Sequence, residues 1–185
     1  MNNQQWIDGA LTETDTDYQI AGVTFLDKEE EVYLVKGVEL LCSQLSPSSV
    51  LEFGFGKGFT STEFQRQGVT RHVILEPNTE LYQAALTWKA NYSTDIEILN
   101  IFSWDYAGGE TFDLVYNDIQ QFTLDDNDKH ESQMKKILPE GQWYAGWATE
   151  VNDRQVDDYP IFFELNSKLY AQSLMKWMQP KRFGA

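Results

Sequence analysis

The sequence predicts an α/β fold: a mostly parallel sheet, helices on its faces, and a ligand crevice at the carboxyl ends of its strands. Three observations carry this prediction. The apolar strand Val50 to Phe53 runs straight into glycines at alternate positions, Gly54, Gly56 and Gly58, and Thr60 to Gln67 then reads as a helix closed by Gly68. Strand-like and helix-like stretches alternate from there to Ala148, the pattern of parallel strands joined by crossover helices. The second strand, Val73 to Leu75, ends on Glu76, an acid where doubly wound sheets meet their ligands.

With 185 residues, 42% of them apolar and 14% aromatic, the chain is long enough for one folded domain with a real core. It divides into an N-terminal arm and lid helix, 1–45, and an α/β domain, 46–185. A net charge of −15 repels phosphate backbones and anionic lipid, which argues against nucleic acid and membrane partners and for a neutral or cationic small-molecule substrate. The single cysteine, Cys42, has no partner for an internal disulfide, and His72 and His130 lie too far apart for a metal-ligand motif, so no metal is expected. Met1 to Ala10 lack the basic and apolar regions of an export signal, and no apolar run nears the ~20 residues of a membrane span. A reduced, cytoplasmic protein is the expectation.

Residues 1–19 are polar, with aromatic anchors at Trp6 and Tyr18, and read as an irregular arm. Trp6 is either a lid residue or a core contact. From Asp27 to Leu45 a helix is predicted, because Val32, Val35, Val38, Leu41 and Leu45 recur at spacings of three and four behind an acidic first turn, Glu29 to Glu31. Ser46 and Pro47 end it. After the second strand, Asn78 and Thr79 cap a helix to Ala90. Ile96 to Leu99 is a third strand. In the loop after it, Trp104 and Asp105 offer an aromatic face and a carboxylate for a nucleobase, or else a core Trp beside a surface Asp. Phe112 to Tyr116, a fourth strand, ends in Asn117-Asp118, a polar edge continued by Gln120 and Gln121. A helix from Asp125 to Leu138 and a turn at Pro139 lead to a fifth strand, Gln142 to Ala148, with Trp143 and Trp147 on one face and Tyr144 on the other. Tyr159 to Met178 reads as a last helix whose stripe of Phe163, Tyr170, Leu174 and Trp177 serves the core or a dimer surface.

Alternate glycines permit positive φ and close ligand approach, and the helix start beyond them offers free N–H groups. A dinucleotide fingerprint would need its third glycine at position 59, which is Phe59. The stretch instead resembles the first motif of class I S-adenosylmethionine (SAM) methyltransferases, an acid followed by G-x-G-x-G, here Glu52, Gly54, Gly56 and Gly58. Glu76, 20 residues after Gly56, is placed to accept both hydroxyls of a ribose. The fold this implies is the Rossmann-like sheet of that class.

A narrower likeness lies in Ile20 to Leu34, which is similar to the segment before the first motif in guanidinoacetate methyltransferases and their protein-arginine relatives: Ile-x-Gly, an apolar pair, an acid-base pair, then Glu-x-x-Tyr at Glu30 and Tyr33. Leu51 to Gly56, Glu76-Pro77-Asn78, Trp104-Asp105 and Val115-Tyr116-Asn117 continue it, and Trp6 stands near the family's N-terminal Trp. The resemblance implies SAM as cofactor. Trp6, Glu52, Gly54, Gly56, Gly58, Glu76, Asn78, Trp104 and Asp105 would bind it, and Glu30, Tyr33, Asn117 and Asp118 would handle the acceptor.

The likeness also has departures. In that family two carboxylates grip the guanidinium, because a protonated guanidine has no free lone pair until a base takes its proton. Glu30 matches the first; the second position is Asn117, which cannot act as a base, with Asp118 one residue later. No sixth and seventh strands are readable after Gln179-Pro180, and an open sheet edge makes a homodimer the expected assembly. The expected function is SAM-dependent methylation of a small amine- or guanidine-bearing metabolite by direct SN2 transfer. Two alternatives stay open: a cyclase that consumes SAM and releases methylthioadenosine, and a non-catalytic SAM-binding regulatory subunit.

Overall fold

In the computed structural model, which describes residues 1–119, 124–137, 143–146 and 181–182, the chain enters through a short helix, α1 (Asn3–Ile7). Asn2 starts it by a reciprocal cap: its side chain accepts from the Gln5 amide, and the Gln5 side chain accepts from the Asn2 amide, both at 2.9 Å. Three antiparallel strands follow, β1 (Leu11–Glu13), β2 (Asp17–Ile20) and β3 (Val23–Asp27). The irregular arm expected over 1–19 is thus corrected to a helix and a sheet. Strands of three to five residues with polar side chains on both faces show no period-two alternation. The β1–β2 turn is held instead by Thr14, whose amide donates to Asp17 O at 2.9 Å and whose hydroxyl donates to Asp17 Oδ1 at 2.6 Å.

Helix α2 (Glu30–Leu45) begins three residues later than its periodicity predicts, because Asp27 is still paired with Asp17 in the arm sheet. It buries Leu34, Val38, Leu41 and Cys42, whereas Val32 stands 65% exposed. Ser46 ends it in the left-handed region, φ 47°, before Pro47.

The alternation expected through the fifth strand is present as β4 (Ser49–Phe53), α3 (Phe59–Arg66), β5 (Arg71–Leu75), α4 (Thr79–Lys89), β6 (Asp95–Leu99), a 3₁₀ turn (Ser103–Asp105), β7 (Leu114–Asn117), α5 (Leu124–Ile137) and β8 (Trp143–Gly146), and a further strand, β9 (Lys181–Arg182), follows. The order across the sheet is β6-β5-β4-β7-β8-β9. The first five are parallel and β9 is antiparallel. From β4 the chain winds outward to β6, then returns to β7 on the other side of β4, so the topological switch point lies between β4 and β7.

Both faces of the sheet are covered. Val50, Leu114 and Tyr116 pack with Val38 and Leu41 of α2 and Phe64 of α3, while Leu51, Phe53, Val115 and Tyr144 pack with Met134 of α5. Each such side chain contributes ~1.5–3 kcal/mol when fully buried, and burial on two sides is why these strands read as continuous apolar runs. The β4 and β5 tips are therefore rigid platforms. At the open edge, Asp95 and Glu97 of β6 are tied to Arg71, which keeps that edge charged.

The two-residue strand β9 was not foreseen, since two residues carry no pattern. Gln120, Gln121, Leu138, Pro139, Gln142, Trp147, Ala148 and the helix expected over Tyr159 to Met178 lie outside the described residues. Among the described residues no helix is long and apolar enough to cross a membrane, and no group of three His, Cys, Asp or Glu is placed to hold a metal.

Candidate active site

The glycine turn owes its shape to the crowding at the switch point. Gly54 has φ 88°, and its amide donates to Leu75 O at 2.8 Å while the Asp118 amide donates to Phe53 O at 2.9 Å. A Cβ on Gly54 would lie 2.5 Å from Asp118 O, so only glycine lets the β4 and β7 ends close this tightly. Gly56 and Gly58 also have positive φ, and the Gly58 amide closes the turn on Phe55 O at 2.8 Å.

This turn presents its amides to Glu76. The Glu76 carboxylate accepts from Phe55 N at 3.0 Å, Gly56 N at 3.3 Å and Asn78 N at 2.8 Å. It is 2% exposed, and burial pushes its carboxyl up to about 7 despite those three donors. The Asn100 side chain fixes the main chain behind it, its Nδ2 donating to Glu76 O at 2.8 Å and Pro77 O at 3.1 Å.

A cavity opens at these strand tips, with about 650 Å³ of empty space that includes open solvent. Gly54, Gly56, Phe53 and Leu75 form its floor. Glu76 and Pro77 form one wall; Phe102, Ser103 and Trp104 form a second. Asp118 and Ile119 line it from the end of β7, and Trp6 and Phe25 line it from the arm. Phe102 and Trp104 stack with centroids 4.4 Å apart and planes 11° from parallel, and Trp6 meets Phe25 edge-on at 5.6 Å.

Of the residues the sequence pointed to, Trp6, Gly54, Gly56, Glu76, Trp104 and Asp118 line this cavity. Others stand elsewhere. Glu52 faces away, toward α3, where it accepts from the Thr60 and Ser61 hydroxyls at 2.5 and 2.6 Å. His72 Nε2 lies 2.9 Å from the same carboxylate but out of line for a hydrogen bond. This buried group braces the glycine turn from behind. Gly58 lies under the Phe55 ring, and Asp105 is exposed beyond Trp104. Asn78 is fully buried, and its amide serves α4 and the arm. Glu30 accepts from the Asp27 amide at 3.0 Å at the β3–α2 junction, and it and the half-buried Tyr33 are not in the lining. Asn117 is 2% exposed at the β7 end, and its Oδ1 has no hydrogen-bond partner among the described residues.

Sequence reasoning missed Phe25, Phe102 and Ser103. Phe25 sits in the very segment that carries the family likeness, and Phe102 is two residues before Trp104; an aromatic at either spot was the available signal. It also missed His130. From α5 this histidine hydrogen-bonds Ser103 Oγ through Nδ1 at 2.7 Å and Tyr144 OH through Nε2 at 3.3 Å, and it lies edge-on to Phe53. Burial lowers it to about 4, so it is neutral at physiological pH and pins the aromatic wall without adding charge.

The sequence model for the family described as guanidinoacetate N-methyltransferase matches residues 2–142. No curated protein matches the sequence significantly. Among solved structures, the N-methyltransferase NodS from Bradyrhizobium japonicum WM9 is similar with a TM-score of 0.53 at 18% identity, over 65% of this chain and 68% of that one. Its complex with S-adenosylhomocysteine gives 0.52 at 17%, over 63% and 60%. The 1,6-didemethyltoxoflavin-N1-methyltransferase of Burkholderia thailandensis, bound to 1,6-didemethyltoxoflavin and S-adenosylhomocysteine, gives 0.51 at 16%, over 63% of this chain and 52% of that one. The chain thus spans about half to two thirds of these proteins, and likeness at this identity establishes the shared fold.

Proposed function

The chain belongs to the guanidinoacetate N-methyltransferase family of SAM-dependent methyltransferases, and on that premise we propose that it methylates a nitrogen of a small amine- or guanidine-bearing metabolite by direct SN2 transfer. One observation carries this reading: a single cavity is lined at once by the glycine turn, a buried carboxylate, an aromatic wall and a second carboxylate. Bound there, SAM supplies an electrophilic methyl group on a sulfonium. The residues fit such a group. A cradle at Gly54 and Gly56 that side chains would fill suits its methionine end, and Glu76 is an acceptor-only group for the two ribose hydroxyls. Trp104, with Phe102 behind it and Asp105 at its edge, suits the adenine.

Asp118 is the carboxylate assigned to the acceptor. It accepts an N–H of the acceptor nitrogen, holds that nitrogen so its lone pair faces the methyl carbon, and takes the proton the nitrogen sheds as the N–C bond forms. Asn117, one residue earlier, is buried outside the cavity lining with no partner for Oδ1 among the described residues, so Asp118 alone carries this role. Glu30 acts from the β3–α2 junction, where it caps the strand that carries Phe25. The net charge of −15 supports a small, non-anionic acceptor over nucleic acid or anionic membrane.

The test is incubation of purified protein with SAM, with and without a panel of amines and guanidines, followed by mass spectrometry. S-adenosylhomocysteine formed together with a methylated amine supports the proposal. Methylthioadenosine released without any acceptor would make the protein a cyclase, and SAM binding by calorimetry with neither product from any mixture would make it a SAM-binding subunit.

A further inference from the structure

Asn78 does more than start α4. Its side chain is fully buried and uses every kind of group it has. Oδ1 accepts from Leu81 N at 3.0 Å, the ordinary helix cap. Nδ2 donates to two carbonyls at the end of the arm helix, Trp6 O at 2.5 Å and Gly9 O at 2.9 Å, contacts that span 72 and 69 residues of chain. Its own amide donates to Glu76 Oε1 at 2.8 Å. One residue therefore joins the carboxylate assigned to the ribose, the first turn of α4, and the carbonyl of a tryptophan that lines the cavity.

The arm depends on such bonds. A helix of five residues is far too short to hold itself, so α1 stays where tertiary contacts put it. The approach within the arm is also close: a Cβ on Gly9 would lie 2.5 Å from Ile20 Cγ2, so the glycine lets the chain after α1 pack tightly against the end of β2. Glu80 adds a bond from the next turn, accepting from Leu11 N at 2.7 Å, and Lys57 of the glycine turn reaches the Tyr18 ring at 4.7 Å.

We propose that Asn78 is a positioning residue that latches the N-terminal arm, so that Trp6 is held over the cofactor cavity by the same turn that carries Glu76. Cofactor exchange then requires the latch to open, and cofactor retention requires it to close. The inference rests on the reading of the cavity as the SAM site, but the latch itself is observable without ligand.

The experiment separates the two. Asn78→Ser keeps a good helix cap and removes both Nδ2 donors. In the ligand-free protein, amide exchange over 3–13 is expected to quicken at least several-fold while β4 and β5 amides keep their protection. With S-adenosylhomocysteine as the probe, calorimetry is expected to show roughly tenfold weaker binding, the effect of losing one to two neutral hydrogen bonds. Trp6→Ala should cost about as much. The double variant should bind no worse than the weaker single one, since Asn78 acts through Trp6. Should Asn78→Ser not fold, Asn78→Thr, a neutral cap that likewise lacks the amide donors, takes its place. Unchanged arm exchange in the variant overturns the latch, as do losses that multiply in full. If the wild-type protein fails to bind S-adenosylhomocysteine, the cofactor reading falls and arm exchange alone decides the latch.

Discussion

If Glu76 is the ribose acceptor, nucleoside binding must weaken on acidification through neutral pH, and by a calculable amount. The ionised carboxylate only accepts, so both ribose hydroxyls can donate to it; the protonated acid presents an O–H of its own to one of them. With a value of about 7, roughly nine in ten carboxylates are ionised at pH 8 and about one in ten at pH 6. Affinity should therefore fall about tenfold between those values. The probe of choice is methylthioadenosine, because it keeps the ribose and base but lacks an α-amino group, which would itself titrate near ~8. Three protein amides already occupy most of the acceptor capacity of the carboxylate, and the 3.3 Å bond from Gly56 is the longest and the first to yield to a hydroxyl. The net gain is then about 3 kcal/mol, one to two charge-assisted hydrogen bonds. Glu76→Gln should bind on the order of a hundredfold more weakly, with no pH dependence. Calorimetric titrations from pH 8 to 5.5 read both. A wild-type affinity that stays flat over that range, or a Glu76→Gln affinity equal to wild type, would refute the assignment.

Three further outcomes follow from the same geometry. Gly54→Ala should destabilise by about 2–3 kcal/mol in urea unfolding, since its Cβ meets Asp118 O at 2.5 Å on a backbone held at φ 88°. Asp118→Asn should lower kcat by about a hundredfold while leaving S-adenosylhomocysteine affinity within about threefold, a split that stopped-flow and calorimetry resolve. Glu76 and His130 should oppose each other in the pH dependence of stability. The carboxyl is raised from 4.5 to about 7, so its contribution is present below 4.5 and is lost as pH rises through 7. The imidazole is lowered from 6.5 to about 4, so its contribution is present above 6.5 and is lost as pH falls through 4. Each is worth about 3 kcal/mol. Wild-type stability should be nearly flat from 4.5 to 6.5, Glu76→Gln should lose stability on acidification across that window, and His130→Gln should gain it.

What the sequence disclosed about this fold was whatever depends on near neighbours in the chain. The β4 strand, its alternate glycines and the helix beyond them are one local unit, legible because an apolar run, positive-φ glycines and a helix start occupy 18 consecutive positions, Val50 to Gln67. Glu76 was legible because a parallel sheet fixes where the end of the next strand must lie. Glu52 shows the limit of motif reasoning. An acid two residues before a glycine turn reads as a cofactor contact, yet strand alternation turns it to the α3 side, and Phe53 instead reaches the cavity. The arm strands were hidden because runs of three to five residues are too short to show a period, even though Ile20, Leu11 and Phe25 pack with Trp6 and Leu81 once the strands pair.

The latch was hidden for a deeper reason. As a helix cap Asn78 is fully explained by its neighbours, Thr79 and Leu81, so nothing local asks for a second role. The second role becomes visible only when two carbonyls some seventy residues away arrive within hydrogen-bond reach of the same amide. An asparagine suits both tasks because it alone among the good caps has an acceptor for the helix and two donors to spare; serine and aspartate can cap but have no N–H to give. The choice of Asn at this position is therefore informative where the choice among caps is usually not. It ties the arm to the turn that carries Glu76, with Asn100 holding the main chain between them through Pro77 O.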